Sequence, residues 1–533
     1  MEDITKSESG LFEVHTDRSE HKVSGDFSYI TFNDVDSGET LAIITAYNRH
    51  GSVINFPAYI DGYKVIQIAA TDNIGLNIPD DMLNSVFEVD IPGSIENIGA
   101  DAFANCKNLK RVTLHKGLKR IGFACFGCCK SLEQLDIPDT VEVMENAALY
   151  QTEITEIKLP KEMKTVSDAL FQECPSLKKV IFPENVESIG WTFFDSNTAL
   201  EEIVLSSEKI QYIDPHNDLS KTPWYKKQPS GWLFLGDCLI GYKENPDDNL
   251  DVYDDNDDYI GRKEIDFNIK KGTKRILYVP SNINIGDVVI PDGVTVIGKD
   301  AFRGNKYIKN LTIPTSVDKV YEFAFCDTDN CNNLLIKSTG QTVLGSFSLQ
   351  GCGMANLTID GNVKTLERAA ITCCDNLKSI TINGSVDRME KSAIGENENC
   401  TSIVFGGDIN LINIDAFHLC ENVNDVEIKG NIDKVLYCKI ETPLEDVEQG
   451  LFDKFENLRC IKVHTEKMKN YCEQHNYPYE FIEDTKPARK SAKKSSSENS
   501  APAGKMKFCP FCGEKLVANA PFCAFCGKKI PVI

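Results

Sequence analysis

Apolar residues return along this chain at a fixed interval. From Val89 to Leu109 the order is V-D-I-P-x-x-I-x-x-I-G-x-x-A-F-x-x-C-x-x-L. One interval later, Val112 and Leu114 stand where Val89 and Ile91 stood, and Ile121-Gly122, Phe126, Cys129 and Leu132 follow in step. Further units carry Leu135 with Ile137-Pro138, then Leu159-Pro160, Phe171, Cys174 and Leu177, then Val180, Phe182-Pro183, Ile189-Gly190 and Phe194. After an interruption the pattern resumes at Ile290-Pro291, Ile297-Gly298 and Ala301-Phe302, and again at Ile313-Pro314 and Ala324-Phe325. Ile359, Ile382, Phe405 and Ile428 keep the interval, as do Leu366, Met389, Ile412 and Val435.

Each unit predicts a short strand. A segment such as Leu311-Thr312-Ile313 alternates, so one face is buried. The following Pro ends the strand because it cannot donate to a ladder. The Gly of Ile-Gly is expected to make a tight turn. The Ala-Phe pair packs inward from the far side. One unit cannot bury its apolar face alone, so the units must stack. The fold class expected is a repeat solenoid of leucine-rich-repeat type, with short parallel β-strands on one face and loops or short helices on the other.

Three residues after the Phe, a slot holds Cys106, Cys129, Cys174, Asn197, Asn305, Thr328, Cys374, Asn397 and Cys420. These small side chains can all bond a neighbouring backbone group, so the slot reads as core furniture rather than chemistry. A buried thiol with no His beside it is inert.

These units resemble the leucine-rich repeats of the BspA-like family, over about residues 27–484. Residues 27–68, with ITAYNRHGSVINFPAYIDGYKVIQI, resemble that family's N-terminal segment, and TPWY at Thr222–Tyr225 followed by GWLFLGDCLIGYK resembles a recurrent insertion. The resemblance implies the fold. Secreted members resemble adhesins or binders of host proteins, which makes a surface adhesin exported by a non-standard route one implied alternative.

The chain is expected to divide as follows. Residues 1–26 are a disordered N-terminus, 27–85 an N-terminal β cap, 86–205 the first repeat block and 206–286 an insertion. Residues 287–440 are the second block and 441–484 a C-terminal cap with a short helix and strand. Residues 485–506 form a flexible basic linker and 507–533 a zinc ribbon. In the insertion, ENPDDNLDVYDDNDDYIG reads as a solvated acidic loop, since like charges repel. An EF-hand starting at Asp254 fails, because Tyr259 and Ile265 stand where Gly and Glu are needed.

The working surface of a solenoid is expected on the concave strand face. Its candidate binding residues are Arg111, Thr113, Gln134, Asp136, Glu156 and Lys158 in the first block. In the second they are Asn310, Thr312, Asn356, Thr358, Ser379, Thr381, Ser402, Asp425 and Glu427. The second set is rich in hydroxyls and amides, which suit hydrogen bonding to a peptide or glycan. The plainer reading is that Thr merely suits a strand.

The C-terminus reads FCPFCGEKLVANAPFCAFCGKKI. Two C-x-x-C knuckles, Cys509 with Cys512 and Cys523 with Cys526, can aim four sulfurs at one ion. Four thiolates favour one Zn2+ and leave no open position, so the ion is structural rather than catalytic. The segment resembles the short zinc ribbons at the ends of many bacterial proteins. So short a domain needs the metal to fold, at about 10–16 kcal/mol in comparable peptides.

Among 533 residues the net charge is −23, which argues against a general polyanion binder. Residues 485–507 are basic, so a nucleic-acid-associated role through linker and ribbon is a second alternative. Twenty cysteines without a basic, apolar leader point to reduced thiols in the cytoplasm. No long apolar run predicts a membrane span. With no phosphate loop, HExxH or nucleophile–base spacing visible, the reading is a non-enzymatic protein-interaction or scaffold protein with a protein partner.

Overall fold

A computed structural model describes residues 21–34, 37–69, 76–254, 257–437 and 439–483, with the backbone of two short strands nearer the N-terminus. The expected basic linker and the four cysteines Cys509, Cys512, Cys523 and Cys526 lie outside the described residues.

The repeat builds a front ladder of parallel strands in the register of the sequence. Glu88–Ile91 pairs with Arg111–Leu114, Arg111 opposite Glu88 and Leu114 opposite Ile91. Glu156–Lys158, Lys179–Ile181 and Glu202–Val204 form a second piece. From Asp287–Val289 a nine-stranded sheet runs unbroken to Cys460–Val463 and Tyr479–Phe481. Its inward residues, such as Ile359, Ile382, Phe405 and Ile428, are fully buried. The far side is closed by Phe103, Phe126, Phe302 and Phe325, whose rings stack in pairs at 5.5 and 4.9 Å.

Behind the front, the structure differs from the expected loops or short helices. The Ile-Gly position makes a second parallel ladder, with Asn97–Ile98, Arg120–Ile121 and Val143–Met144 in register. The α-helices described, Asp80–Leu83, Pro223–Lys227 and Glu466–Gln474, all lie outside the repeating pattern. The corners forbid helix because unit after unit places two residues, four apart, at positive φ. Asp101 and Asn105, Ala124 and Cys128, Ala369 and Cys373, Ser392 and Glu396 all do so. Such a residue costs roughly 1–2 kcal/mol and cannot continue a right-handed helix. The cost is offset rung by rung: Asp101 N–H donates to Phe123 O and Asn105 N–H to Gly127 O, both at 2.8 Å.

The Ile-Gly glycine has a different job from the turn expected of it. Gly99 and Gly122 are not among the positive-φ glycines. A Cβ on Gly122 would stand 2.5 Å from the carbonyl carbon of Gly99 in the coil before. Glycine is needed there for close approach of coils. Where the Pro position is taken by Asp360, Asn383, Gly406 and Lys429, each followed by a glycine at Gly361, Gly384, Gly407 and Gly430, the second ladder lengthens. Lys319–Val320 has two residues, Val363–Leu366 four and Ile432–Tyr437 six. The freed amides now donate: Asn383 N–H to Ile359 O and Gly406 N–H to Ile382 O.

The buried slot behaves as the sequence implies. Cys129, Cys174 and Cys374 each donate Sγ–H to a carbonyl of the preceding coil at 3.2 Å, and Asn397 Nδ2 donates to Ile371 O at 3.0 Å. Thr152, in step with Cys129, and Cys352, one residue out of the interval from Thr328, fill the same column; Thr328 Oγ1 meets Cys352 Sγ at 3.2 Å. Burial pushes the thiols of Cys106 and Cys420 up to about 12, and that of Cys174 to about 11. Every described cysteine is free.

Several expected boundaries change. Within residues 1–26, Ile4–Lys6 pairs with Phe12–Val14 and Lys22–Ser24 joins Phe27–Asn33, where disorder was expected. Gln134 and Asp136 stand on exposed chain outside any strand, so the first front ladder breaks there. The 206–286 insertion is partly stack. Tyr212–Ile213 pairs with Ser188–Ile189, and Arg275–Ile276 pairs with both Cys238–Leu239 and Val296–Ile297. Ile265 donates to Asn284 O at 2.7 Å and packs with Phe267 on the second core, forming a coil the register hid. Buried Trp224 of the TPWY segment donates its backbone N–H to Leu200 O and covers the end of the first block. The acidic stretch contains a hairpin, Asp251–Tyr253 against Tyr259–Arg262, rather than an open loop. At the C-terminal end of the described stack, Cys460–Val463 extends the front sheet, and Glu466–Gln474 and Tyr479–Phe481 follow it.

Gly122→Ala should lower stability by about 1–3 kcal/mol, because the added methyl meets backbone that cannot step aside. Thermal or urea unfolding of the full chain checks this, and an unchanged midpoint would disprove the close-approach account. Native-state alkylation followed by peptide mapping should modify half-buried Cys128, Cys373 and Cys460 long before Cys106, Cys129, Cys174 or Cys374.

Candidate functional site

The outward residues of the front sheet fall into columns about 4.8 Å apart from rung to rung. One column runs Asp287, Asn310, Asn333, Asn356, Ser379, Ser402 and Asp425. The next runs Val289, Thr312, Leu335, Thr358, Thr381, Val404 and Glu427. The structure therefore brings all nine candidates of the second block onto one continuous sheet.

Much of the first column spends its polar groups on itself. Asn310 Nδ2 donates to Asp287 Oδ1 and Asn333 Nδ2 to Asn310 Oδ1, each at 2.7 Å. Ser379 Oγ donates to Asn356 Oδ1 at 2.7 Å. At the C-terminal end Arg459 pairs with Asp425 at 2.8 Å and His464 Nε2 sits 3.0 Å from Glu427. Among the described residues, no side chain or backbone group hydrogen-bonds the hydroxyls of Thr312, Thr358, Thr381 and Ser402, which leaves their hydrogen-bonding capacity open to solvent or a partner.

The first block is chemically different. Arg111 pairs with Glu88 at 2.6 Å, His115 with Asp90 at 2.9 Å and Lys179 with Glu202 at 3.1 Å. Exposed pairs of this kind contribute roughly 0–1 kcal/mol each. Thr113, Glu156 and Lys158 are exposed on strands, while Gln134 and Asp136 sit in the gap between the two pieces of sheet. The first-block candidates are thus split across two sheets.

A cavity of about 190 Å3 lies where the two cores meet, lined in part by Asp214, Tyr225, Tyr242 and Tyr278. Burial works against the Asp214 carboxylate, yet bonds from the Tyr212 hydroxyl at 2.6 Å and from the His216 backbone N–H at 2.9 Å hold it below the usual range. The Lys243 ammonium covers the Tyr225 ring at 5.0 Å and donates to Gln228 O. These groups brace the junction. Sequence reasoning did not find the cavity, because its walls come from units on either side of a break in register.

Among the described residues no group of three metal-ligating side chains occurs, and no helix is long and apolar enough to cross a membrane.

Among curated proteins, none matches this sequence. Several solved structures do. A leucine-rich repeat protein from Bacteroides ovatus is 17% identical, with 87% of this chain and 100% of that one covered and a TM-score of 0.33. A leucine rich cell surface protein from Faecalibacterium prausnitzii is 19% identical over 86% of this chain and 97% of that one, at a TM-score of 0.30. The pneumococcal vaccine antigen PcpA is 14% identical over 87% and 98%, at a TM-score of 0.31. The description "BspA type Leucine rich repeat region" matches residues 82–201, 278–343 and 338–441, more than half of the chain. With the ladders, corners and buried slot in the same register, the chain belongs to the BspA-type leucine-rich-repeat family.

Proposed function

We propose that this chain is a non-enzymatic interaction protein that docks a protein partner on the front sheet of its second repeat block. The supporting observation is the set of unspent hydroxyls at Thr312, Thr358 and Thr381 in one column and Ser402 in the next, held in register on a sheet with a packed core behind it. A rigid row of donors and acceptors costs a partner little reorganisation. Its lack of charge suits a polar, uncharged surface better than an acidic or basic one.

The C-terminal module is proposed to be a zinc ribbon on a basic leash, with Cys509, Cys512, Cys523 and Cys526 around one structural Zn2+. Support comes from the donor set and its spacing alone. The ribbon would be a second contact point, raising avidity through effective concentration. We place the protein in the cytoplasm, a compartment in which its many free thiols would stay reduced.

Replacing Thr312, Thr358 and Thr381 by Arg should abolish capture of partners from the native host without shifting the unfolding midpoint, since all three point outward. The same partners returning at the same yield would sink the docking-face reading. Metal analysis of the full chain should find one zinc per chain. Cys509→Ser should lose it, while the repeat unit keeps its unfolding transition; a metal content that ignores the substitution would refute the ribbon.

A further inference from the structure

The second block carries a third, short parallel ladder on which a cleft of different chemistry is built. Ile371–Thr372 pairs with Ile394–Gly395, which pairs with Phe417–His418, so that Thr372, Gly395 and His418 stand in line. Glycine in the middle rung puts no side chain between Thr372 and His418. The cleft there measures about 510 Å3, and Arg368, Lys391 and Lys454 all line it. That volume is in the range of small-molecule sites, roughly 300–1,000 Å3.

The cations are the unusual feature, because the chain as a whole carries −23. Each has a carboxylate for a sequence neighbour, and each neighbour is committed elsewhere. Glu367, next to Arg368, takes Lys319 Nζ at 2.7 Å and the Ser346 backbone N–H at 3.1 Å. Glu390, next to Lys391, takes Arg388. Asp453, next to Lys454, accepts from the Tyr477 hydroxyl at 2.5 Å and from Gly450 N–H at 3.0 Å. Lys391 reaches Asp415 only at 3.9 Å. Arg368 and Lys454 have no carboxylate within pairing distance among the described residues. The cleft's other carboxylate, Glu396, accepts a hydrogen bond from Cys373 Sγ at 3.2 Å. Gln350, Thr372 and Ser392 add neutral donors to the same walls.

Arg368 and Lys454 lack a paired carboxylate among the described residues while Glu396 keeps its charge, so the lining is net positive and favours an anion with several acceptor oxygens. A phosphate monoester carries about −1.5 to −2 at neutral pH and offers three acceptor oxygens. A guanidinium recognises two of them with its fork, and an ammonium takes a third as a point charge. A single carboxylate offers only two oxygens, too few to serve a guanidinium fork and an ammonium together. We propose that this cleft binds the phosphoryl group of a small phosphate monoester, with Arg368 and Lys454 as the anchoring charges and Lys391 beside them. The site lies on a different ladder from the front sheet and stands or falls independently of the docking face.

Titration calorimetry on the full chain tests this with inorganic phosphate, ethyl phosphate and succinate. The expected result is saturable one-site binding of both phosphates and much weaker binding of succinate. Arg368→Ala with Lys454→Ala should weaken phosphate binding by roughly tenfold or more. Glu396→Gln should tighten it several-fold, because a like charge leaves the cleft, an effect that a merely structural Glu396 would not produce. All three side chains are exposed, so the variants should keep the wild-type unfolding midpoint. No saturable binding at millimolar phosphate, or binding untouched by the double substitution, would overturn the assignment. Succinate binding as tightly as phosphate would overturn the phosphoryl specificity.

Discussion

Each coil of this protein hands its backbone amides to the carbonyls of the next, and every other feature depends on that exchange. Ala124 N–H reaches Asn146 O, Phe126 N–H reaches Ala148 O and Cys128 N–H reaches Tyr150 O, as their counterparts do in the preceding coil. A coil alone has no partner for these groups and no second surface for its apolar face, so it has no stable existence. The exchange works only if every coil has nearly the same length. That requirement fixes the interval, and the interval allows the side-chain columns to form.

The same constraint explains features that would suggest function in another fold. Non-glycine residues at positive φ often mark active sites. Here they recur at the same two places in coil after coil, from Asp101 and Asn105 to Ser392 and Glu396, and their amides are satisfied by neighbours. They are corners. The buried cysteines likewise form a column with Asn and Thr: Cys129, Cys174 and Asn397 bond carbonyls of the coil before, and Thr328 a carbonyl of its own coil. Departures from the regular pattern carry more information. The cationic cleft arises where Gly395 opens a gap in a ladder and where three turns place charges whose neighbouring carboxylates are already engaged.

Chemistry differs along the front because each block meets the columns differently. In the first, unlike charges face one another across rungs, as Arg111 and Glu88 do. In the second, amides and hydroxyls align, and those that pair with one another leave the Thr column unspent. A surface that has already satisfied itself has less to offer a partner, so the unpaired hydroxyls weigh more than the Asn ladder beside them.

The sequence by itself determined the stacking, the buried positions and the strand register. Apolar spacing reports which residues must leave water, and a constant interval admits one way for coils to align. Pairings such as Ile359 with Ile382 and Leu366 with Met389 were legible for that reason. The sequence also showed that the slot residues are interior. Tertiary structure alone decided the rest. The glycine of Ile-Gly could not be told from a turn former, because the atom that excludes a Cβ belongs to another coil. The coil at Ile265 was hidden because its two ladder positions are offset differently from those of its neighbours. Arg368 and Lys454 are far apart in the chain, and no periodicity links them. Only the folded stack shows that they share a cleft and which carboxylates are left to answer them.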